Sequence, residues 1–263
     1  MRVKFVLTIF YVLIFAFEAQ SGEFKNLKYT VDGMERTAGL YIPDGYDKSK
    51  KWPLVIYLHG GGNGGDNKGN AIPWASKQPI VKEINRDSKK FPALVLIPRC
   101  PKDNIWAPVG PDVLMSKWRK NKFGDVQKPD ASKHITTAID TVINEYSVNE
   151  NKISLTGFSM GGEGSIRYGA LNVKRFAAIA PLAGSAIAIK DDVKALASTN
   201  VWMFQGEKDG LSTAELGRKM STWIKEAGGK VKYTEFEGVG HGIPGKVYSY
   251  PGMLEWLITQ EKK

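Results

Sequence analysis

The chain holds one serine in a setting where a hydroxyl could act as a nucleophile. Residues 153–161 read Ile-Ser-Leu-Thr-Gly-Phe-Ser-Met-Gly, a short apolar run delivered straight into G-x-S-x-G with Ser159 at its centre. That pattern has a mechanism when a strand precedes it and a helix follows. The serine then sits on a turn so sharp that its own backbone is strained, and its hydroxyl stands clear above the sheet. Gly157 and Gly161 leave room there for neighbouring chain, and Glu163 to Leu171 continues as a helical pattern.

A serine hydroxyl needs a base, and the base needs a group to orient it. The sequence has only three histidines, His59, His134 and His241. In the chain order that accompanies this motif, an acid and then a base follow the serine, which leaves His241. It lies in the glycine-flanked loop Glu237-Gly-Val-Gly-His-Gly-Ile-Pro244, after the alternating stretch Val231 to Phe236. Glu163, Asp191, Asp192, Glu207, Asp209, Glu215, Glu226, Glu235 and Glu237 all satisfy the order for the acid. Most fall in helical patterns or on the polar face of a strand, where a carboxylate is simply solvated. Asp209 instead closes Val201-Trp-Met-Phe-Gln-Gly-Glu-Lys-Asp-Gly210, an apolar strand with a turn, and so emerges at a strand's C-terminal end, where ligand and catalytic groups gather in open parallel sheets. Glu207 is its rival, two residues nearer the strand. Asp209 is expected to hold the His241 ring and to stabilise the imidazolium.

The same chemistry develops negative charge on a carbonyl oxygen, and backbone N–H groups aimed at that oxygen stabilise it. Pro53 to Leu58 is a buried-looking strand that runs into His59-Gly-Gly-Gly-Asn-Gly-Gly65, where glycines let the main chain approach closely. The expected donors are the amides of Gly61 and of Met160, with His59 anchoring the loop. A phosphate cradle is the competing reading of such a loop, but neither the G-x-x-x-x-G-K-[ST] pattern nor dinucleotide spacing is present.

The elements that must position these residues follow from periodicity. Leu27–Val31 and Arg36–Ile42 read as an antiparallel opening hairpin turning at Asp32-Gly33. Apolar strands recur at Leu54–Leu58, Ala93–Ile97, Lys152–Leu155, Phe176–Ala180, Val201–Phe204 and Val231–Phe236. Helical patterns cover Ala131–Tyr146, Glu163–Leu171, Ser212–Ala227 and Gly245–Thr259. Alternation of this kind means a mainly parallel sheet covered on both faces, an α/β fold. The stretch from Asn63 to Pro129 is the least regular and carries Trp74, Trp106, Trp118 and Phe123. Long loops after strands set specificity in such folds. Trp106, after a strand's C-terminal end, is the expected wall of a substrate pocket.

With these residues in place the chain resembles a group of secreted α/β-hydrolase esterases: the feruloyl and acetylxylan esterases, the polyhydroxybutyrate depolymerases and the predicted-peptidase branch near prolyl oligopeptidase. The resemblance runs from about Tyr41 to Trp256. It is carried by Leu40-Tyr-Ile-Pro-Asp-Gly-Tyr46, Leu58-His-Gly-Gly-Gly62 with Gly65-Asp-Asn67, Ile97-Pro-Arg-Cys-Pro101 with Trp106, Gly157-Phe-Ser-Met-Gly-Gly162, Arg175-Phe-Ala-Ala-Ile-Ala-Pro181, Gln205-Gly-Glu-Lys-Asp209 and Gly240-His241. It implies an α/β-hydrolase fold and a serine hydrolase acting on carboxylic esters, often acyl groups on carbohydrate. One position departs from the group: Glu163, after Gly162, where an aromatic or small residue is common. A carboxylate there could bias the substrate site against anionic acyl groups, or cap the helix.

Composition bounds the remaining possibilities. Met1-Arg-Val-Lys4 followed by the apolar run Phe5–Phe17 and small residues at Ala19 and Ser21 reads as a signal peptide over residues 1–21, with residues 22–263 as one catalytic domain. The apolar run is shorter than the roughly 20 residues a spanning helix needs, so no stable membrane insertion is expected once it is cleaved; a retained anchor is the alternative. The destination is outside the cell or the periplasm. The lone Cys100 forbids an intramolecular disulfide and reads as a buried inert thiol. Cys and His spacing offers no zinc site, and the reaction needs no cofactor. The formal charge of +10 is lysine spread along the chain, densest at Lys117–Lys122, without the basic stripe or module of a nucleic-acid binder. The partner expected is a small-molecule or polysaccharide ester. Competing readings are a serine peptidase of prolyl oligopeptidase type, a polyhydroxyalkanoate depolymerase, and a non-catalytic carbohydrate-binding protein on the same fold.

Overall fold

The computed structural model describes residues 22–65, 69–108, 113–115, 117, 129–185, 187–190 and 192–262. The signal segment, Trp118 and Phe123 lie outside the described residues.

Eight strands form one sheet in the order β1-β2-β4-β3-β6-β7-β9-β10. β1 (Glu23–Val31) and β2 (Met34–Ile42) make the opening hairpin, and β2 runs antiparallel to β4 (Leu94–Ile97). Asp32 and Gly33 at its turn both take positive φ, 49° and 75°, the primed geometry that matches strand twist. The other pairings, through β3 (Trp52–Leu58), β6 (Val148–Phe158), β7 (Ala178–Leu182), β9 (Asn200–Gly206) and β10 (Val231–Phe236), are parallel. The catalytic candidates therefore converge because parallel strands end on the same side of the sheet. β5 (Val113–Met115) and β8 (Ile187–Ile189) pair separately as a short antiparallel ribbon.

Period-2 alternation divides the core in two. Along β3, Leu54, Ile56 and Leu58 pack with helices α3 (Ser132–Glu145), α4 (Met160–Leu171), α5 (Asp192–Ala197) and α6 (Ala214–Glu226), whereas Val55 and Tyr57 pack with α1 (Ile72–Ala75), α2 (Pro79–Ile84), α7 (Pro244–Tyr248) and α8 (Met253–Thr259). Both faces are thus covered, which is why the central strands read as unbroken apolar runs.

The expected helix over Gly245–Thr259 is two helices, α7 and α8. Pro251 cannot donate a helical hydrogen bond and Gly252 adopts φ +77°, so the chain breaks although the apolar spacing carries across. Short α1 and α2, each with a proline in its first turn, occupy part of the stretch that sequence left irregular.

Candidate active site

Strand β6 delivers Ser159 and α4 begins at the next residue, so Ser159 is the hinge between them. Its backbone takes φ 55°, ψ −117°, a region costing a non-glycine residue about 1–3 kcal/mol. The strained turn is clamped by its own amide, which donates to Leu182 O at 2.8 Å, and by Glu163 N–H, which donates to Ser159 O at 2.9 Å. Space for it depends on missing side chains. A methyl on Gly157 would come within 2.4 Å of Gly161 O, and one on Gly162 within 2.5 Å of Leu182 O.

His241 reaches this hydroxyl from the loop after β10, with Nε2 2.8 Å from Ser159 Oγ. Its other nitrogen, Nδ1, lies 2.7 Å from Asp209 Oδ2. A carboxylate only accepts, so Nδ1 carries the proton and Nε2 presents its lone pair to the serine. The two loops interlock: Lys208 N–H donates to Val239 O at 2.8 Å, and a Cβ on Gly206 would fall 2.3 Å from Gly240 O. The Asp209 side chain is wholly buried and that of His241 is 23% exposed.

Asp209 Oδ1 accepts from the amides of Leu211 and Ser212, both at 2.9 Å, and Oδ2 accepts from Gln205 Nε2 at 3.0 Å as well as from the imidazole. The rival Glu207 is exposed and instead accepts the Gly238 amide at 2.7 Å, bracing the histidine loop without touching the ring. Phe158, the residue before the serine, lies against the His241 ring at 5.0 Å between centroids. The same side chain fills the space beside Gly60, where a Cβ would meet its ring at 3.1 Å. Gln205 meets Asp209 across a turn and Phe158 meets His241 across the sheet end, contacts that no local sequence pattern marks.

The glycine loop is held by His59, which is fully buried. Nδ1–H donates to Gly60 O at 2.8 Å, and Nε2 accepts the Cys100 amide at 2.9 Å. Burial holds this imidazole down at about 4, with the Arg99 guanidinium working in the same direction against the Gly60 hydrogen bond. It is therefore a neutral strut, and both its nitrogens are spent. Gly65 N–H donates to Cys100 O at 3.0 Å and Arg99 Nε donates to Asn63 O at 3.0 Å, tying the rest of the loop to the same strand end. Burial pushes the Cys100 thiol up to about 12. Gly61 sits in this braced loop with open space around it, and Met160 is the first residue of α4, where an amide has no intrahelical acceptor.

Trp106 lines a small cavity, and it does so from the interior. Its ring is fully buried, Nε1–H donates to His59 O at 2.8 Å, and the ring stands edge-on to the imidazole at 4.9 Å. The indole thus turns inward to buttress the glycine loop, a direction that position after a strand end does not specify. Glu163 is also buried, 7% exposed, in the first turn of α4, where the helix dipole favours a carboxylate. It lines a small cavity with Ile105, Trp106, Met160 and Arg167. Among the described residues, no group of His, Cys, Asp and Glu side chains could hold a metal ion.

A hydroxyl, an oriented imidazole, a buried carboxylate and a braced glycine loop at one sheet end can carry out nucleophilic acyl transfer. Comparison with known proteins agrees. The phospholipase/carboxylesterase sequence family matches residues 46–249. Acyl-protein thioesterase 1 of Gibberella zeae is 29% identical over 212 residues, covering 73% of this chain and 85% of that protein. A thermostable esterase of known structure aligns with TM-score 0.71 and 26% identity over 91% of this chain, which spans 63% of that longer protein. A ferulic acid esterase shares the fold at TM-score 0.64 and 16% identity, covering 91% of this chain and all (100%) of that one. The chain belongs to the phospholipase/carboxylesterase family of the α/β-hydrolase fold and is a serine ester hydrolase.

Proposed function

We propose that this protein cleaves acyl groups, of acetyl or feruloyl type, from plant polysaccharide, and does so outside the cytoplasm after loss of residues 1–21. Ser159 Oγ attacks the ester carbonyl while His241 Nε2 takes its proton, and Asp209 steadies the imidazolium. The amides of Gly61 and Met160 hold the oxyanion. The tetrahedral intermediate collapses, the alcohol leaves with the proton from His241, and the acyl group remains on Ser159. Water deprotonated by His241 then frees the acid by the same path. No cofactor takes part in this sequence. The observation that carries the reading is the continuous chain of contacts from Ser159 Oγ through His241 to Asp209, at 2.8 and 2.7 Å.

The basic N-terminus followed by Phe5–Phe17 supports the extracytoplasmic destination. The ferulic acid esterase fold and the resemblance of the motifs to carbohydrate esterases support the substrate class. Among the described residues no helix is long and apolar enough to cross a membrane. A second reading, thioesters of acylated proteins, is favoured by the Gibberella zeae relative. A panel of acetylated xylan, methyl ferulate, short p-nitrophenyl esters and a palmitoyl thioester separates them. Turnover of acetylated xylan or methyl ferulate above the thioester is expected, and the reverse order overturns the polysaccharide reading. Loss of Ser159 should remove every activity in the panel.

A further inference from the structure

The mechanism above leaves unused a buried amide that touches the acid. Gln205 is fully buried near the end of β9, four residues before Asp209. Its Nε2 donates to Asp209 Oδ2 at 3.0 Å and to Ser212 O at 2.5 Å. Both neighbours are acceptors, so the NH2 end of the amide must face them and the orientation is fixed by the network. The cost falls on the other end: Oε1 is buried without a hydrogen-bond partner. A buried polar atom left unpaired in a folded protein calls for a compensating role. Glu235, the register partner of Gln205 on β10, does not pair with Oε1: its carboxylate only accepts, and it is taken by Arg218 at 2.7 and 2.9 Å and by the Tyr233 hydroxyl at 2.8 Å.

We propose that Gln205 is a positioning residue of the catalytic site, its NH2 group bridging Asp209 Oδ2 and the Ser212 carbonyl so that the carboxylate is aimed at His241 Nδ1. Two amides fix Oδ1, and without a second anchor Oδ2 could turn about that end. Gln205 is that anchor. It also ties the carboxylate to the turn that supplies the Ser212 amide, so acid and turn move together. Only a neutral group with two N–H donors meets both acceptors. A methionine of similar length meets neither, and a carboxyl group meets one of them only while it keeps its proton.

This inference rests on the triad reading, and the test keeps the two apart. Wild type, Q205M, Q205E and S159A are assayed as full-length proteins on p-nitrophenyl acetate across pH 5–9, with thermal unfolding of each. Q205M is expected to lose about 10- to 100-fold in kcat, the scale of a hydrogen bond to a charged group, with KM changed by less than about twofold and the loss flat with pH. Q205E is expected to lose progressively more as pH rises, because ionising the introduced carboxyl sets a like charge beside Asp209. That alkaline fall should be absent from wild type and Q205M. Should Q205M fail to fold, the Q205E profile decides. A Q205M protein with kcat within about twofold of wild type, or a Q205E loss that is flat with pH and matched by a lowered Tm, overturns the role. Loss in S159A with none in Q205M would overturn Gln205 alone.

Discussion

Gly161 lies so close to Leu58 that a methyl group on its Cα would come within 2.0 Å of the Leu58 carbonyl oxygen. The end of β3 therefore rests directly on the first turn of α4, and this contact holds the serine hinge against the strand that feeds the glycine loop. Gly161→Ala should push backbone against backbone, with no flexible side chain to absorb it. We expect about 3 kcal/mol of destabilisation, the upper end for overpacking, and loss of esterase activity, read by thermal unfolding and initial rates. Gly245→Ala, at a helical position with open space around it, should be neutral or stabilising by up to about 1 kcal/mol. Equal effects at the two sites would contradict the packing account.

The two carboxylates in Gln205-Gly-Glu-Lys-Asp209 should differ sharply in function. Asp209→Asn keeps the shape but forces the amide's donor end or a neutral oxygen onto His241, so kcat should fall by about 10⁴. Glu207→Gln retains an oxygen able to accept the Gly238 amide, 2.7 Å away, and should stay within about threefold of wild type. Rates on p-nitrophenyl acetate decide, and a reversed order would move the acid to Glu207.

Stability should fall as pH is lowered through the histidine range. The folded His59 imidazole takes up a proton only near pH about 4, against an ordinary value of 6.5, because it is buried. Between those values the unfolded chain binds more protons, so stability is complete above about pH 6.5 and drains away toward pH 4, by on the order of 3 kcal/mol. His134 is also held low, first by burial and then by the Arg36 guanidinium, and adds in the same direction. His59→Gln should flatten the dependence of Tm on pH in this window, leaving the part due to His134. An unchanged slope would remove His59 as its source. Protonation would also force Nε2 to stop accepting the Cys100 amide, so the glycine loop should loosen first.

Much of this site is legible in the sequence. The order of serine, acid and histidine, the glycine loop, and the strands that carry them each leave a local mark: a small residue at a sharp turn, or an apolar run ending in a polar side chain. What escaped was tertiary. Gln205 looks like any residue closing a strand, and its value lies in meeting Asp209 and Ser212 across a turn. Phe158 looks like a spacer in G-x-S-x-G until the imidazole lies against it. Trp106 follows a strand end, which says where the residue is, while the indole's direction depends on the His59 carbonyl it bonds. The break between α7 and α8 was written in Pro251-Gly252, yet apolar periodicity ran through it and hid the stop.

His241, held by Asp209, makes Ser159 a nucleophile. Reaction with a fluorophosphonate followed by peptide mapping tests it most directly. A single adduct on Ser159 is expected in the wild type, with none in Ser159→Ala and labelling slowed by at least about 10³-fold in His241→Ala. An adduct on another residue, or labelling of Ser159 at an undiminished rate without His241, would contradict it.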